Sequence, residues 1–187
     1  MLVATAIDLL NESGVASFSL REVARRAEVA AAAPSHHFGN VAGLLTAVAT
    51  TGFEQLASAF EDVLSQGASP VEQVLGLCEA YVSHGRRHPG VASVMFRNEL
   101  LNQGDPDFLE ARPRSLQLLQ YAVRSALEES TGTQVSHGQA SRVAKVVWAT
   151  MHGLVTLRMA EGEALRAQVG FAARAVLAGA VAAGPPP

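Results

Sequence analysis

Histidines at helical spacing are the first residues in this sequence that could do chemistry. His84 and His88 stand four positions apart, and at that spacing two imidazoles on one helix face can chelate a metal ion. No acidic or sulfur partner accompanies them at a readable spacing, and a histidine near a helix C-terminus is also favoured by the helix dipole. We therefore expect no metal site and no cofactor.

A ligand pocket is the second possibility, and it centres on Trp148 and His152, which share one face of a predicted helix. The two residues are either a polar point in such a pocket or a hydrogen-bonded pair in the core, and the sequence leaves both interpretations open. Aromatic and methionine side chains suit an apolar ligand, although they are more often ordinary core. Those that could line the same cavity are Tyr81, Met95, Phe96, Phe108, Tyr121 and Met151.

Enzyme chemistry finds little support in the sequence. It contains no nucleophile elbow, no phosphate-binding loop and no cysteine cluster for a metal. Cys78 is the only cysteine and falls in an apolar stripe, so we expect a buried structural thiol, with redox sensing as the lesser alternative. An all-helical enzyme that uses His152 is a further alternative, but we expect the chain not to be an enzyme.

The elements that must position these residues are helices. Apolar residues make up 49% of the 187 residues and aromatic residues only 5%, a composition that favours closely packed helices over a sheet. Apolar periodicity and turn residues predict an all-α fold, with no strand pair and no repeat. The predicted helices, about nine of them, cover residues 2–11, 20–27, 31–37, 41–65, 71–87, 90–102, 108–130, 136 or 141 to 157, and 163–182.

The first three predicted helices have the arrangement of a helix-turn-helix, in which a supporting helix precedes two short helices joined by a tight turn. Ser19 and Glu22 form a capping-box pattern, so we expect Ser19 to cap the second helix and Glu22 to reach back to it. The residues expected to pack behind the unit are Val23, Ala24, Ala27, Val29, His37 and Phe38.

At two places the sequence resembles the TetR family of bacterial transcriptional regulators. The head of that family is similar to Ser19-Leu20-Arg21-Glu22-Val23-Ala24-Arg25-Arg26-Ala27, then Val29, then His37-Phe38-Gly39-Asn40, then Gly43-Leu44-Leu45. One class of TetR C-terminal domain is similar to Trp148-x-x-x-His152-Gly153. The first resemblance covers about residues 2–50, and the two together bracket most of the chain.

The resemblance implies a one-component transcriptional regulator, and we expect a repressor that a small, largely apolar effector releases from a palindromic, double-stranded DNA operator. Its domains would be a DNA-binding head at 1–48, which extends into a linking helix at 41–65, a ligand-binding and dimerisation body at 49–184, and a disordered tail at 185–187. The resemblance places the DNA contacts at Ser19, Arg21, Ala31, Ala33, Ser35, His36, His37 and Asn40.

The head departs from the family pattern at several positions. Glu28 stands where the turn commonly has Gly, and Ala30 where Ser or Thr commonly caps the recognition helix. Ser35 and Val41 stand where Tyr and Lys ordinarily touch the DNA backbone. Residues 1–48 hold three arginines against four acidic side chains, a net charge of −1. Because these losses weaken phosphate contact, the alternative is a TetR-like helical binding protein with weakened or lost DNA binding.

The last two predicted helices indicate a homodimer. Leu165, Val169, Ala172, Val176 and Ala180 form a stripe rich in small residues, which would be a liability if it were exposed and unpaired. Pairing of residues 139–160 and 163–182 with their copies in a four-helix bundle is the habit of the family and gives a symmetric dimer.

A membrane or secretory location is not expected from the sequence. The apolar stretch at 169–183 is short for a membrane span and carries Arg174. The first ten residues lack the basic start of a secretory signal. We therefore expect a cytoplasmic protein that does not contact a membrane.

Overall fold

The computed structural model describes residues 1–157 and 161–183, and within those ranges the chain is all-α and has no strand, as the sequence predicts. The predicted tail at 185–187 and residues 158–160 of the predicted dimer segment lie outside the described residues. Two short 3-10 helices occur at Val15–Ser17 and Asn98–Leu100. The α-helices are α1 (Leu2–Ser13), α2 (Leu20–Arg26), α3 (Ala33–Phe38), α4 (Val41–Ser65), α5 (Pro70–Arg87), α6 (Pro89–Met95), α7 (Pro106–Thr131), α8 (His137–Leu157) and α9 (Gly162–Ala183).

Packing divides the chain into two compact units. The head unit comprises Met1–Gln55 and Arg87–Pro113, and the body unit comprises Leu56–Arg86 and Arg114–Pro187. Helices α4 and α7 therefore contribute residues to both units. The head unit includes residues 87–113, which the sequence analysis assigned to the body.

Specific hydrogen bonds hold residues 87–113 in the head unit. The backbone N–H of Gly90 donates to Asn11 Oδ1 over 2.7 Å, and a side chain at Gly90 would collide with the backbone of α1. The backbone N–H of Asn102 donates to the hydroxyl of the buried Thr46 over 2.8 Å. Since these partners are side chains far away in the sequence, helical periodicity alone could not reveal the grouping.

The aromatic core of the head unit is built around Phe53 of α4. The rings of Phe96 and Phe108 meet it edge to face, with centroids 5.4 and 5.9 Å away. The predicted helix at 90–102 is in fact two elements, because the chain leaves the helical conformation at Phe96 and re-forms one 3-10 turn at Asn98–Leu100. Burial of Phe53 and Phe108 contributes several kcal/mol to the head unit, at about 2 kcal/mol for each buried side chain, and the half-buried Phe96 adds its edge-to-face contact.

In the body unit, α5, α8 and α9 pack with the later parts of α4 and α7. Helix α5 begins with a complete capping box, since Ser69 N–H donates to Glu72 Oε2 (3.2 Å) and Glu72 N–H donates to Ser69 Oγ (3.4 Å). The long apolar stripes close into a core, whose fully buried side chains include Phe60, Leu77, Leu127, Val147, Met151 and Val169. This core positions the residues of the cavity described below.

Candidate functional site

The first helix of the candidate DNA-binding motif, α2, is capped as the sequence predicts. Ser19 Oγ accepts a hydrogen bond from Glu22 N–H over 3.3 Å. The carboxylate of Glu22, which was expected to return to Ser19, instead accepts hydrogen bonds from Arg25 (2.7 and 2.9 Å) and Arg26 (2.9 Å). A charged guanidinium one turn away is a stronger partner for a carboxylate than a neutral backbone N–H.

These ion pairs change the electrostatics of the head. Hydrogen bonds from Arg25 and then Arg26 lower the pKa of Glu22 to about 2, and the same contacts raise the pKa of both arginines. Arg26 also donates to Glu12 of α1. Arg21 is exposed and makes no ion pair within the described residues. Arg21 is thus the arginine of α2 whose charge remains available to an external anion.

The turn between α2 and α3 contains a strained residue. Glu28 has a φ of 54°, which is the left-handed region that favours glycine, and its side chain is exposed. The turn closes because Val29 N–H donates to Ala24 O over 3.1 Å. A glutamate in this conformation costs about 1 kcal/mol relative to glycine, so the departure noted at Glu28 has a structural consequence.

The recognition helix α3 begins two residues later than predicted. Ala31 and Ala32 lie in a turn, and α3 begins at Ala33. Pro34 explains the difference, because a proline has no N–H to donate to the carbonyl of Ala30 and its ring would clash with that carbonyl in a helix. Ala31 is exposed in this turn and Ala33 is half-buried, so neither lies on an exposed face of the helix.

The exposed face of α3 consists of Ser35, His36 and His37. The two imidazole rings stand edge to face with centroids 5.5 Å apart. His37 was expected to pack behind the unit, but its side chain faces solvent, and the buried residue of α3 is Pro34. Proline fills the space behind α3 that the sequence analysis assigned to His37.

The start of α4 depends on two residues. Asn40 Oδ1 accepts a hydrogen bond from Gly43 N–H over 3.0 Å, so Asn40 caps α4. A Cβ atom at Gly43 would lie 2.0 Å from the carbonyl oxygen of Phe38. The sharp connection from α3 to α4 therefore requires glycine at this position. Of the two residues that shape this connection, Gly43 was part of the motif quoted above, and Pro34 is a sequence signal that predicts the later start of α3.

The body unit contains a small apolar cavity. Its volume is about 10 Å³, which is roughly the space of one water molecule. No charged side chain lines it. The lining residues come from α4, α5, α7 and α8, and they are Phe60, Leu77, Cys78, Tyr81, Leu119, Val147, Trp148 and Met151.

One hydrogen-bonded pair, Tyr81 and His152, places polar groups at the edge of this apolar cavity. The hydroxyl of Tyr81 and Nδ1 of His152 are 2.9 Å apart, and the rings of Tyr81 and Trp148 meet edge to face with centroids 4.9 Å apart. Burial raises the pKa of Tyr81, so the phenol is protonated at neutral pH. The hydroxyl can donate to Nδ1 or accept from it, according to which ring nitrogen of His152 carries the proton.

The structure brings together some of the residues that the sequence suggested for the pocket. Tyr81, Trp148 and Met151 line the cavity, and His152 bonds to Tyr81. Tyr121 is 64% exposed and does not line it. The others, Met95, Phe96 and Phe108, belong to the head unit and do not line it either.

Five lining residues were not singled out from the sequence as pocket residues. Their signal was ordinary helical periodicity, which does not distinguish a cavity wall from solid core. They are Phe60, Leu77, Cys78, Leu119 and Val147. The prediction that Cys78 is a buried thiol is confirmed, since it is 2% exposed and burial raises its pKa to about 12.

The exposed apolar surface of α8 and α9 differs from the predicted stripe. Leu165 and Val169 are 5% and 1% exposed, so they face the interior of the body unit, and the prediction that they form an outward stripe is wrong. The other members of the predicted stripe, Ala172, Val176 and Ala180, are half-buried. In α9, Leu165, Val169 and Leu177 turn inward, whereas Phe171 turns outward. The outward apolar residues, here called the C-terminal face, are Val146, Ala149, Leu157, Ala164, Ala167, Phe171, Ala175, Ala178 and Ala182.

By length and composition alone, helix α9 could also cross a membrane. Its most apolar 18-residue stretch has a mean hydropathy of 1.2, and 22% of that stretch is buried. A single helix of this kind is weak evidence for a membrane span, because core helices of soluble proteins and signal sequences pass the same test. Among residues 1–157 and 161–183, no three His, Cys, Asp or Glu side chains are grouped so that they could hold a metal ion.

Comparisons with known proteins give the context of these sites. The family model described as bacterial regulatory proteins, tetR family, matches residues 2–48, and the model described as tetracyclin repressor-like, C-terminal domain, matches residues 74–182. None of the curated proteins matches the chain.

Several solved structures are similar over nearly the whole chain. A protein of unknown function from Rhodococcus sp. RHA1 is 32% identical with a TM-score of 0.79, and the match covers 95% of this chain and 92% of that one. The TetR family transcriptional regulator PfmR from Thermus thermophilus is 18% identical with a TM-score of 0.73, covering 95% of this chain and 97% of that one. A transcriptional regulator from Rhodococcus sp. Rha1 is 24% identical with a TM-score of 0.72, covering 96% of each chain. The two latter likenesses show the fold.

Proposed function

The chain belongs to the TetR family of transcriptional regulators, and from that premise we propose that it is a cytoplasmic one-component repressor, released from a palindromic DNA operator by a small, largely apolar effector. The observation that carries the proposal is the capped α2, the tight turn and the short α3, whose Ser35 and His36 face solvent while Pro34 is buried. A helix held from behind with polar side chains outward is what a major groove admits.

The proposed DNA contacts divide into two kinds. Ser35 and His36 on α3 would reach base edges or phosphates in the groove, while Ala31 in the preceding turn offers only a methyl contact. Arg21 of α2 would bind a phosphate, because its guanidinium is exposed and is not committed to a carboxylate. Arg25 is tied to Glu22 and contributes less.

A homodimer through the C-terminal face is part of the proposal. Phe171 is 74% exposed and Leu157 is 67% exposed, and the alanines between them leave room for close approach of a second pair of helices. A twofold pairing of this face covers the apolar surface of both copies. It also brings two recognition helices into one assembly, as a palindromic operator requires.

The proposed effector binds at the cavity of the body unit. A cavity of about 10 Å³ admits no organic molecule, so side chains must move before an effector enters. The lining carries no charge, which favours a neutral molecule, and the Tyr81–His152 pair offers one place for a polar group.

Helix α4 gives the effector a route to the DNA-binding motif. Phe60 lines the cavity, and 20 positions earlier the same continuous helix starts from its cap at Asn40, directly after α3. An effector that shifts Phe60 would bias this helix and hence α3. The shift in DNA affinity can be no larger than the effector's differential affinity for the two states.

The second candidate function is a TetR-like binding protein that has lost DNA binding. It is favoured by the ion pairs that occupy Arg25 and Arg26 and by the acidic Glu28 in the turn. Both candidates share the fold and the cavity, and only the first requires DNA recognition.

Selection from a random-sequence duplex library with the purified full chain separates the two candidates. Recovery of a palindrome supports the repressor, and absence of enrichment at low salt supports the binding protein. A matched pair of variants sharpens the result, because Arg21→Ala and Arg25→Ala each remove one positive charge from α2. We expect Arg21→Ala to weaken binding of the recovered duplex by about tenfold or more and to flatten the salt dependence by about two units of slope, about one for each subunit of the dimer, with a smaller effect of Arg25→Ala.

A further inference from the structure

The recognition helix has an unusual source of positive charge. Helix α3 contains no lysine or arginine, and its ionisable side chains are His36 and His37, both of which are exposed. An exposed histidine changes its charge between pH 5 and pH 8, unlike an arginine. Any positive side-chain charge that α3 presents to DNA must therefore come from these two imidazoles.

The charged residues around the two histidines do not make up for the absence of lysine and arginine from α3. On α2, Arg25 and Arg26 are paired with Glu22, and Arg21 stands alone. The turn adds the exposed Glu28. On the remaining neighbours, α1 carries Asp8 and Glu12, and α4 has no ionisable side chain before Glu54.

We propose that DNA binding by this protein is linked to proton uptake, with His36 and His37 binding DNA in their protonated forms. The inference rests on the proposed function, since it assumes that α3 meets DNA. The side chains of residues 1–48 have a net charge of −1 when both histidines are neutral. Protonation of both makes the charge of this segment +1, and the added charges lie on the helix that enters the groove.

The geometry of the pair explains why DNA would drive this uptake. With ring centroids 5.5 Å apart, two imidazolium groups repel each other in the free protein. DNA phosphates on the outer side of the pair offset that repulsion, so the bound state holds protons more tightly than the free state. By linkage, the affinity for DNA then rises as the pH falls.

The test uses a random-sequence duplex of about 30 base pairs at low salt, because sequence-independent binding depends on the same phosphate contacts. We expect the wild-type chain to bind about tenfold more tightly near pH 6 than near pH 8, and the salt dependence to steepen by about one to two units of slope at the lower pH. The double variant His36→Gln/His37→Gln should lose most of this pH dependence, since glutamine does not protonate.

Two further variants separate the proposed charge effect from other causes. His36→Arg/His37→Arg should bind tightly at both pH values, because its charge is permanent. His137→Gln, which removes an exposed histidine at the start of α8, should retain the wild-type pH dependence. The thermal unfolding midpoint of each variant checks that the exposed substitutions leave the fold intact.

The outcomes distinguish this inference from the proposed function. Equal wild-type affinity at both pH values, or a glutamine double variant with the wild-type pH dependence, would overturn the inference and leave DNA binding in place. If neither the wild type nor His36→Arg/His37→Arg binds DNA at pH 6 or at pH 8, both the inference and the proposed function are overturned.

Discussion

Tyr81 of α5 and His152 of α8, which are 71 positions apart in the chain, meet through a hydrogen bond of 2.9 Å at the wall of the apolar cavity. Trp148 packs against the same tyrosine, so one aromatic residue joins the polar and apolar parts of the wall. This contact links two helices that both line the proposed effector site. In the proposed mechanism, this is the place where an effector would change how α5 and α8 pack.

Tyr81→Phe tests the importance of the hydrogen bond. The substitution keeps the ring against Trp148 and removes only the hydroxyl, so we expect the free energy of unfolding to fall by about 1 kcal/mol. The measurement is chemical denaturation followed by circular dichroism. The matched control is Tyr121→Phe, the same change at a tyrosine that is 64% exposed, and it should have no effect. Equal effects of the two variants would contradict a structural role for the bond.

Glu28 in the turn before α3 allows strain and charge to be separated. Glu28→Gly relieves the positive φ and removes the negative charge, whereas Glu28→Gln removes only the charge. We expect the glycine variant to raise the free energy of unfolding by about 1 kcal/mol and the glutamine variant to leave it nearly unchanged.

DNA affinity, unlike the free energy of unfolding, should respond in the same direction to both substitutions at Glu28. Both variants remove a negative charge next to the proposed DNA-binding surface, so both should bind a duplex more tightly than the wild type at low salt. Fluorescence anisotropy with a labelled duplex measures this directly. If only the glycine variant binds more tightly, backbone strain and not charge limits the recognition helix.

The existence and order of the helices could be predicted from the sequence because apolar periodicity is a local signal. The start of α3 could also have been predicted, since Pro34 excludes a helix that begins at Ala31. The partner of Glu22 was not readable, because Arg25, Arg26 and the backbone of Ser19 are all within reach on one helix turn. Likewise, the contact between Tyr81 and His152 depends on the packing of two helices, which no single stretch of sequence encodes.

The choice between inward and outward faces of α9 was a harder problem for the same reason. Apolar residues occur on both faces, with Leu165 and Val169 inside and Phe171 outside. Periodicity identifies an apolar stripe but does not say which of two stripes the rest of the subunit covers. Only the packing of α9 on α8 decides this.

Phe171 is the residue that we expect to anchor the dimer. Phe171→Glu places a charge in the C-terminal face, and an unpaired buried charge in a symmetric interface appears twice. We expect this variant to be monomeric at micromolar concentration, as measured by sedimentation equilibrium, with an unchanged circular dichroism spectrum. The matched control is Leu109→Glu on α7, where the leucine is 54% exposed and lies outside that face. A Phe171→Glu dimer as tight as that of the wild type would show that this face is not the interface.

Gly43 at the start of α4 allows the head to be disabled without changing a proposed DNA contact. Since a Cβ atom there would lie 2.0 Å from the carbonyl oxygen of Phe38, Gly43→Ala must displace α3 or the first turn of α4. We expect a loss of about 2 kcal/mol or more in the free energy of unfolding of the head, together with loss of DNA binding.

The control for Gly43→Ala is Gly138→Ala in the first turn of α8, where the nearest atom to a new Cβ is Arg142 Nη1 at 3.9 Å. This variant should be as stable as the wild type or slightly more so, because alanine favours the helix. Hydrogen exchange measured by mass spectrometry locates the effect, and for Gly43→Ala we expect faster exchange in α3 and the start of α4 than in α8. Wild-type DNA affinity in Gly43→Ala would mean that the connection between α3 and α4 does not position the recognition helix, and the proposed route from Phe60 through α4 would then have no physical basis.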